Sequence, residues 1–162
     1  MSAPNDSEGS NKKLKIIIAS DHAGFAYKAR IVEMLRQRGH EVSDAGAHTA
    51  EASDYPLWII PAVERVAAGE FDFGIVLGGS GNGEAIAANK VHGIRCALCW
   101  SPETAELARS HNDANVLALG ERLVDYALAE RIIETFLATP FSGHARHARR
   151  LAQLAKYEIV LT

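Results

Sequence analysis

The amino-acid sequence predicts an α/β fold built on a parallel sheet of about five strands. Two observations carry this expectation. Short runs rich in Ile, Val and Leu alternate with longer amphipathic segments, the pattern of successive βα units. The residues directly after those runs are unusually polar, as expected where the strands of an open parallel sheet deliver their carboxyl ends to a ligand crevice. With 162 residues, 48% apolar and 23% charged, the chain has the size and composition of one soluble globular domain.

Residues 1–13, MSAPNDSEGSNKK, contain no apolar run and are expected to form a disordered tail, neither signal peptide nor anchor, ahead of a single domain over residues 14–162. The first strand is expected at Leu14–Ala19. Phe25, Ala29, Val32 and Leu35 then recur at helical spacing, with Lys28, Arg30, Glu33 and Arg36 on the other side and Gly39 ending the run. A weak second strand is expected at Glu41–Ala45 and a strongly apolar third at Phe73–Leu77. Between them, Asp54-Tyr55-Pro56 lies in a polar loop, either as a turn or as a phenol at the crevice rim.

Asn82–Val91 reads as a helix whose small residues suit close packing over a sheet. A fourth strand follows at Arg95–Cys99, then a helix with Pro102 in its first turn and Ser101 as N-cap. The fifth strand, Asn115–Leu119, joins the first and third as apolar enough to be central. Val124, Leu128, Ile132 and Phe136 step by four along a further helix that Thr139-Pro140 stops. A last helix, His144 to Ile159, is basic first and apolar later, leaving Leu151, Leu154 and Ala155 to pack on the body or on a partner subunit. There are no internal repeats.

Several function classes fall away early. No segment approaches the ~20 apolar residues that span a bilayer, so the expected location is cytoplasmic, without membrane partners. A net charge of -3 argues against broad affinity for nucleic acid. Cys96 and Cys99 form a C-x-x-C, but positions three apart on a strand point to opposite faces and no second cysteine pair completes a metal cage; two buried reduced thiols are expected.

The chemistry is expected after the strands: Ser20-Asp21-His22, Gly78 to Glu84, Trp100-Ser101, Gly120-Glu121-Arg122, with His111-Asn112-Asp113 just ahead of the fifth strand. The segment Gly78-Gly79-Ser80-Gly81-Asn82-Gly83-Glu84 leaves a strand and enters a helix, so its N–H groups can converge on an anionic oxygen. It lacks the Gly-Lys-Ser/Thr ending of a P-loop, and its glycine spacing departs from the dinucleotide fingerprint. A plain tight turn remains the alternative. Glu84 beside that array has what proton abstraction next to a carbonyl requires, a base adjoining oxyanion donors; a carboxylate that only complements the helix dipole is equally open. Asp21 and His22 are either a cap and a solvated histidine or site residues. Arg146 and Arg150 lie four apart on one helix face and suit a phosphate, with a solvated face as the alternative; His144 and His147 lack partners for a metal.

Taken in order, Ala19-Ser-Asp-His-Ala-Gly24, Asp54-Tyr-Pro56, the glycine segment with Ala87-Ala-Asn-Lys90, Gly93-Ile-Arg95 and His111-Asn-Asp-Ala-Asn-Val116 resemble the type B ribose-5-phosphate isomerases, a family that also contains galactose-6-phosphate isomerase subunits. The resemblance runs from about Leu14 to Tyr157. It implies a Rossmann-like three-layer α/β/α domain that dimerises, the C-terminal helix taking part, and an enediolate mechanism with neither metal nor organic cofactor. Many members carry a cysteine base where this chain has Gly78; a second subgroup uses a glutamate at the end of the loop, the place of Glu84. By the same resemblance Ser80 and the backbone of Gly79, Gly81, Asn82 and Gly83 hold the enediolate, Asp21 and His111 serve ring opening, Asn112 and Tyr55 bind sugar hydroxyls, and His22, Arg122, Arg146 and Arg150 grip the phosphate, some from the partner subunit. A tetrose or hexose phosphate as substrate, and a nucleotide-binding regulatory module, are the alternatives.

Overall fold

The computed structural model describes residues 12–158. The expected tail over residues 1–13 therefore lies almost wholly outside the described residues, as do the final residues 159–162.

Five strands form one parallel sheet: β1 (Lys15–Ser20), β2 (Glu41–Asp44), β3 (Phe73–Gly78), β4 (Cys96–Leu98) and β5 (Val116–Gly120), in the order β2-β1-β3-β5-β4. The three apolar strands are the central ones, because a strand covered on both faces must be apolar at every position. The two edge strands are the short ones, β4 with three residues and β2 with four. The outer edge of β4 is partly closed by a side chain: Asn89 donates to the Cys96 carbonyl at 2.9 Å and accepts from the Cys96 N–H at 2.8 Å.

Side-chain alternation along the strands divides the core in two. Ile16, Ile18, Ile75, Leu77, Leu117 and Leu119 face α1 (Phe25–Gln37), α4 (Pro102–Asn112) and α5 (Tyr126–Ala138). Ile17, Ala19, Val76, Val116 and Ala118 face α2 (Pro56–Ala67) and α3 (Asn82–Ala88). The helices after β1 and β3, adjacent strands, thus leave on opposite faces, and a crevice opens between them at the carboxyl edge.

Helix α2 went unread in the sequence. Pro61 stands inside it and Pro56 at its first position, and the run Leu57-Trp-Ile-Ile-Pro-Ala-Val lacks a polar stripe, so breaker residues masked a helix that buries Ile59, Ala62, Val63 and Val66. Ser101 caps α4 as expected, and the structure adds a reciprocal pair with Thr104. Helix α3 ends at Ala88, three residues before the expected Val91. The last helix, α6 (Ala145–Ala155), ends before the expected Ile159, and it buries only His147, leaving Leu154 exposed.

One residue assigned to a solvated helix face is not there. Lys28 is 1% exposed, its ammonium held by both Asp44 oxygens at 2.6 and 2.7 Å. Helical period alone placed it outside; the ion pair across to β2 draws it in.

Candidate active site

At the carboxyl edge, Asp21 follows β1 and caps the single turn His22–Gly24, its Oδ1 accepting from the Ala23 and Gly24 N–H groups at 2.9 and 3.2 Å. His22 Nδ1 accepts from the Ser53 N–H at 3.2 Å, which assigns the ring proton to Nε2, and the ring borders a cavity of ≈ 480 Å³ with Trp58 and Leu57. Tyr55 stands at the start of α2 with its ring against Gly83, where an added Cβ would meet Tyr55 Cζ at 2.8 Å. The phenol therefore lies at the crevice rim and also starts a helix.

The glycine segment connects β3 to α3. Gly81 takes φ 79° as the N-cap of α3, packed so closely on Leu119 that a Cβ there would lie 2.9 Å from its carbonyl carbon. The N–H groups of Gly79, Ser80, Gly81 and Gly83 donate to no acceptor among the described residues. Ser80 Oγ accepts from the backbone and side-chain amides of Asn82, both at 3.3 Å, leaving its own proton free to donate outward. Arg122, after β5, lays its guanidinium beside Gly79, 3.1 Å from where a Cβ would stand, while its N–H holds the Gly79 carbonyl at 3.0 Å.

Glu84 sits in the first turn of α3, 4% exposed. Burial pushes its carboxyl above the ordinary carboxylate range, its own backbone N–H pulls the other way, and the nearby Asp21 charge pushes it up again. A Cβ on Gly78 would overlap the Glu84 carboxyl group. Gly78 and Glu84 are thus a matched pair: the missing side chain at 78 is the space the carboxylate fills.

The second group of expected site residues lies elsewhere. Helix α4 runs back from Ser101 to Asn112, about 16 Å at 1.5 Å per residue, so His111 and Asn112 stand at the amino edge of the sheet. There the Arg95 side chain, ahead of β4, holds the Asn112 and Asp113 carbonyls at 3.0 and 2.9 Å. His111 stacks on the buried His147, ring centroids 4.2 Å apart, and His147 bonds Ser142 Oγ at 2.8 Å and Arg146 Nε at 3.2 Å. Arg146 and Arg150 are exposed on α6 beside them. The bracing of His111 by His147 was not legible in the sequence, since nothing in their spacing joins two helices.

Cys96 and Cys99 pack on opposite faces, Cys99 buried and Cys96 half-buried rather than fully so. Burial pushes the Cys99 thiol up to about 11 and the Cys96 thiol higher still, so neither is a thiolate near neutral pH.

The chain compares closely with known proteins. Residues 16–154 match the family model described as Ribose/Galactose Isomerase. Ribose-5-phosphate isomerase B of Mycolicibacterium paratuberculosis is 50% identical over 146 residues, 90% of this chain and 92% of the relative; that of Escherichia coli is 43% identical over 89% and 96%. The Clostridium thermocellum ribose-5-phosphate isomerase B structure superposes with a TM-score of 0.87 at 48% identity, covering 89% of this chain and 97% of its own. The Mycoplasma genitalium enzyme with bound ribulose-5-phosphate gives 0.85 at 40%, over 89% and 95%. A buried carboxylate facing a glycine cradle, on a fold and sequence shared this far, identifies the chain as a member of the ribose/galactose isomerase family.

Proposed function

We propose that the chain interconverts ribose 5-phosphate and ribulose 5-phosphate through an enediolate, with Glu84 as the base. One observation carries this: a buried carboxylate with raised proton affinity adjoins a turn in which the N–H groups of Gly79, Ser80, Gly81 and Gly83 donate to no acceptor among the described residues. In the open-chain aldose, Glu84 takes the C2 proton. The electron pair forms the C1–C2 double bond and the carbonyl oxygen becomes the oxyanion, held by N–H groups of Gly79–Gly83. The O2 proton passes to O1, the same carboxyl returns its proton to C1 as the electron pair on O2 forms the C2 carbonyl, and the ketose results. A raised carboxyl pKa suits both halves, since a base matched to working pH abstracts and returns protons with comparable ease. Ser80 donates to an enediolate oxygen, Tyr55 and Asn112 take sugar hydroxyls, and Asp21 and His111 serve ring opening.

The phosphate falls to His22 and Arg122 of one copy and to Arg146 and Arg150 of another. Within one chain the sheet separates His111, Asn112 and the α6 arginines from Glu84, so the site is complete only where a second copy brings its amino edge to this carboxyl edge. A two-fold dimer makes two such shared sites. Exposed Trp100 (64%) and Leu123 (67%), which follow β4 and β5 at the mouth, support a covered surface there. We read the protein as a cytoplasmic enzyme of carbohydrate metabolism, in the non-oxidative interconversion of pentose phosphates; among the described residues no helix is long and apolar enough to cross a membrane.

The test is turnover of ribose 5-phosphate beside tetrose and hexose phosphates, by wild type and Glu84→Gln. The variant is expected to lose about 10²–10⁴ in kcat while remaining folded. Unchanged turnover in the variant refutes the assignment of the base. A preference for another aldose phosphate changes the substrate, and tight ATP or NAD binding in calorimetry without isomerisation replaces the enzyme by a nucleotide-binding module.

A further inference from the structure

Lys28 is a charged residue sealed in the fold and unused by the chemistry above. Its ammonium lies 5.4 Å from the Phe25 ring centroid and binds both oxygens of Asp44 at the end of β2. Asp44 Oδ1 also accepts from the Gly46 N–H at 2.9 Å. Gly46 and Ala47 in turn clamp one residue: the Ser20 N–H donates to the Gly46 carbonyl at 2.7 Å and the Ala47 N–H to the Ser20 carbonyl at 2.7 Å. Ser20 immediately precedes Asp21, whose charge reaches Glu84. A run of short bonds therefore leads from Lys28 to Ser20, the residue before Asp21, and Ser20 pairs with Leu77, the residue before the Gly78 that the Glu84 carboxyl abuts.

Stability alone does not account for such a pair. Sealing the Lys28 ammonium away from water, with Asp44 partly so, is costly, and apolar side chains of similar volume often hold a fold as well or better. What an ion pair adds is direction, and this one leads through the Gly46 N–H to the backbone of Ser20, beside Asp21. Burial works against ionisation of Asp44, yet the Lys28 bonds and the Gly46 N–H, with the Lys28 and His48 charges, hold it below the ordinary carboxylate range; it stays an anion wherever the enzyme works.

We propose that the Lys28–Asp44 pair positions the reaction centre: through Gly46 and Ala47 it fixes Ser20, and so holds Asp21 in register with Glu84. The proposal rests on the isomerase reading above. Both are positioning residues, since neither reaches the crevice. Displacing a reacting group by about 1 Å costs up to 10²-fold in rate, while the phosphate ligands Arg122, Arg146 and Arg150 lie outside the series and the His22 ring is held separately by the Ser53 N–H.

The experiment compares wild type, Lys28→Met/Asp44→Leu and Asp44→Asn in kcat, KM for ribose 5-phosphate and thermal midpoint. In the double variant kcat is expected to fall about ten- to hundredfold with KM within about threefold of wild type and the fold retained. Asp44→Asn, whose amide oxygen can still accept from Gly46 and Lys28, is expected to keep kcat within about threefold. Wild-type kcat in the double variant, a loss confined to KM, or an Asp44→Asn as damaged as the double variant overturns the positioning role. If the double variant does not fold, Lys28→Met alone is expected to show the same kcat loss, because Asp44, with 30% side-chain exposure, can be hydrated; wild-type kcat there overturns the proposal too. Wild-type protein without ribose 5-phosphate turnover overturns the isomerase reading itself and the positioning role with it.

Discussion

Replacing Gly78 with alanine adds one carbon, and the structure places that carbon in the Glu84 carboxyl group. The backbone does not resist the change: Gly78 lies in β3 and is not among the glycines of positive φ. Restricting the unfolded chain favours the substitution by about 0.4–1 kcal/mol, and overpacking opposes it by about 1–3 kcal/mol. The net cost stays below about 3 kcal/mol, against a total stability of about 5–15 kcal/mol, so the protein is expected to fold. Turnover is a different matter. Glu84 must leave its position facing the cradle, and a displaced general base forfeits about 10²–10⁴ in kcat, or about 3–5 kcal/mol of barrier. Steady-state kinetics with ribose 5-phosphate, run beside thermal denaturation, separates the two effects. A folded Gly78→Ala within about threefold of wild-type kcat would refute the reasoning, because the carboxylate would then work from elsewhere or not be the base.

The complementary exchange, Gly78→Cys with Glu84→Ala, places a thiol in the vacated volume, and is expected to recover part of the activity that Glu84→Ala alone loses; no recovery would mean that volume is not the base position. Mixing Glu84→Gln with Arg150→Ala under subunit exchange, assayed at a ribose 5-phosphate concentration where each alone turns over little, should restore activity toward about a quarter of wild type, since half the dimers are hybrids with one intact site each; no restoration refutes the shared site. Because burial lifts Glu84 above its unfolded-state pKa, the ionised carboxylate opposes folding: the wild type loses that part of its stability as pH rises through the folded pKa, and keeps it below the unfolded value of about 4.3. Glu84→Gln is thus expected to melt above wild type near about pH 8 and to converge with it near about pH 4, and the acid limb of wild-type kcat should lie above the ordinary carboxylate range. A double Cys96→Ser/Cys99→Ser variant should keep full turnover; its loss would return the C-x-x-C to the chemistry.

Strand identity, sheet centre and the capping of α4 were legible because each rests on local pattern. Ile16–Ala19, Ile75–Leu77 and Leu117–Leu119 declare burial by composition, and polar residues directly after a strand can only stand at its carboxyl edge. Local pattern failed where a distant partner overrules it. Lys28 obeys helical period until Asp44, sixteen residues on, pulls its ammonium inside. Helix α2 forms despite Pro61 because the β3 side of the sheet needs covering, a demand no window of sequence contains.

The candidate chemistry divides the same way. Chain direction placed Glu84 and the glycine segment together at a strand-to-helix turn, while the roles expected of Glu84 and the arginines came from the family resemblance. Only the folded structure decided that the Gly78 vacancy and the Glu84 carboxyl are one volume. It alone set His111, Asn112, Arg146 and Arg150 at the opposite edge from Glu84. Sequence specifies which groups a strand end carries; which ends meet is decided by how the sheet stacks and by where each crossover helix returns the chain.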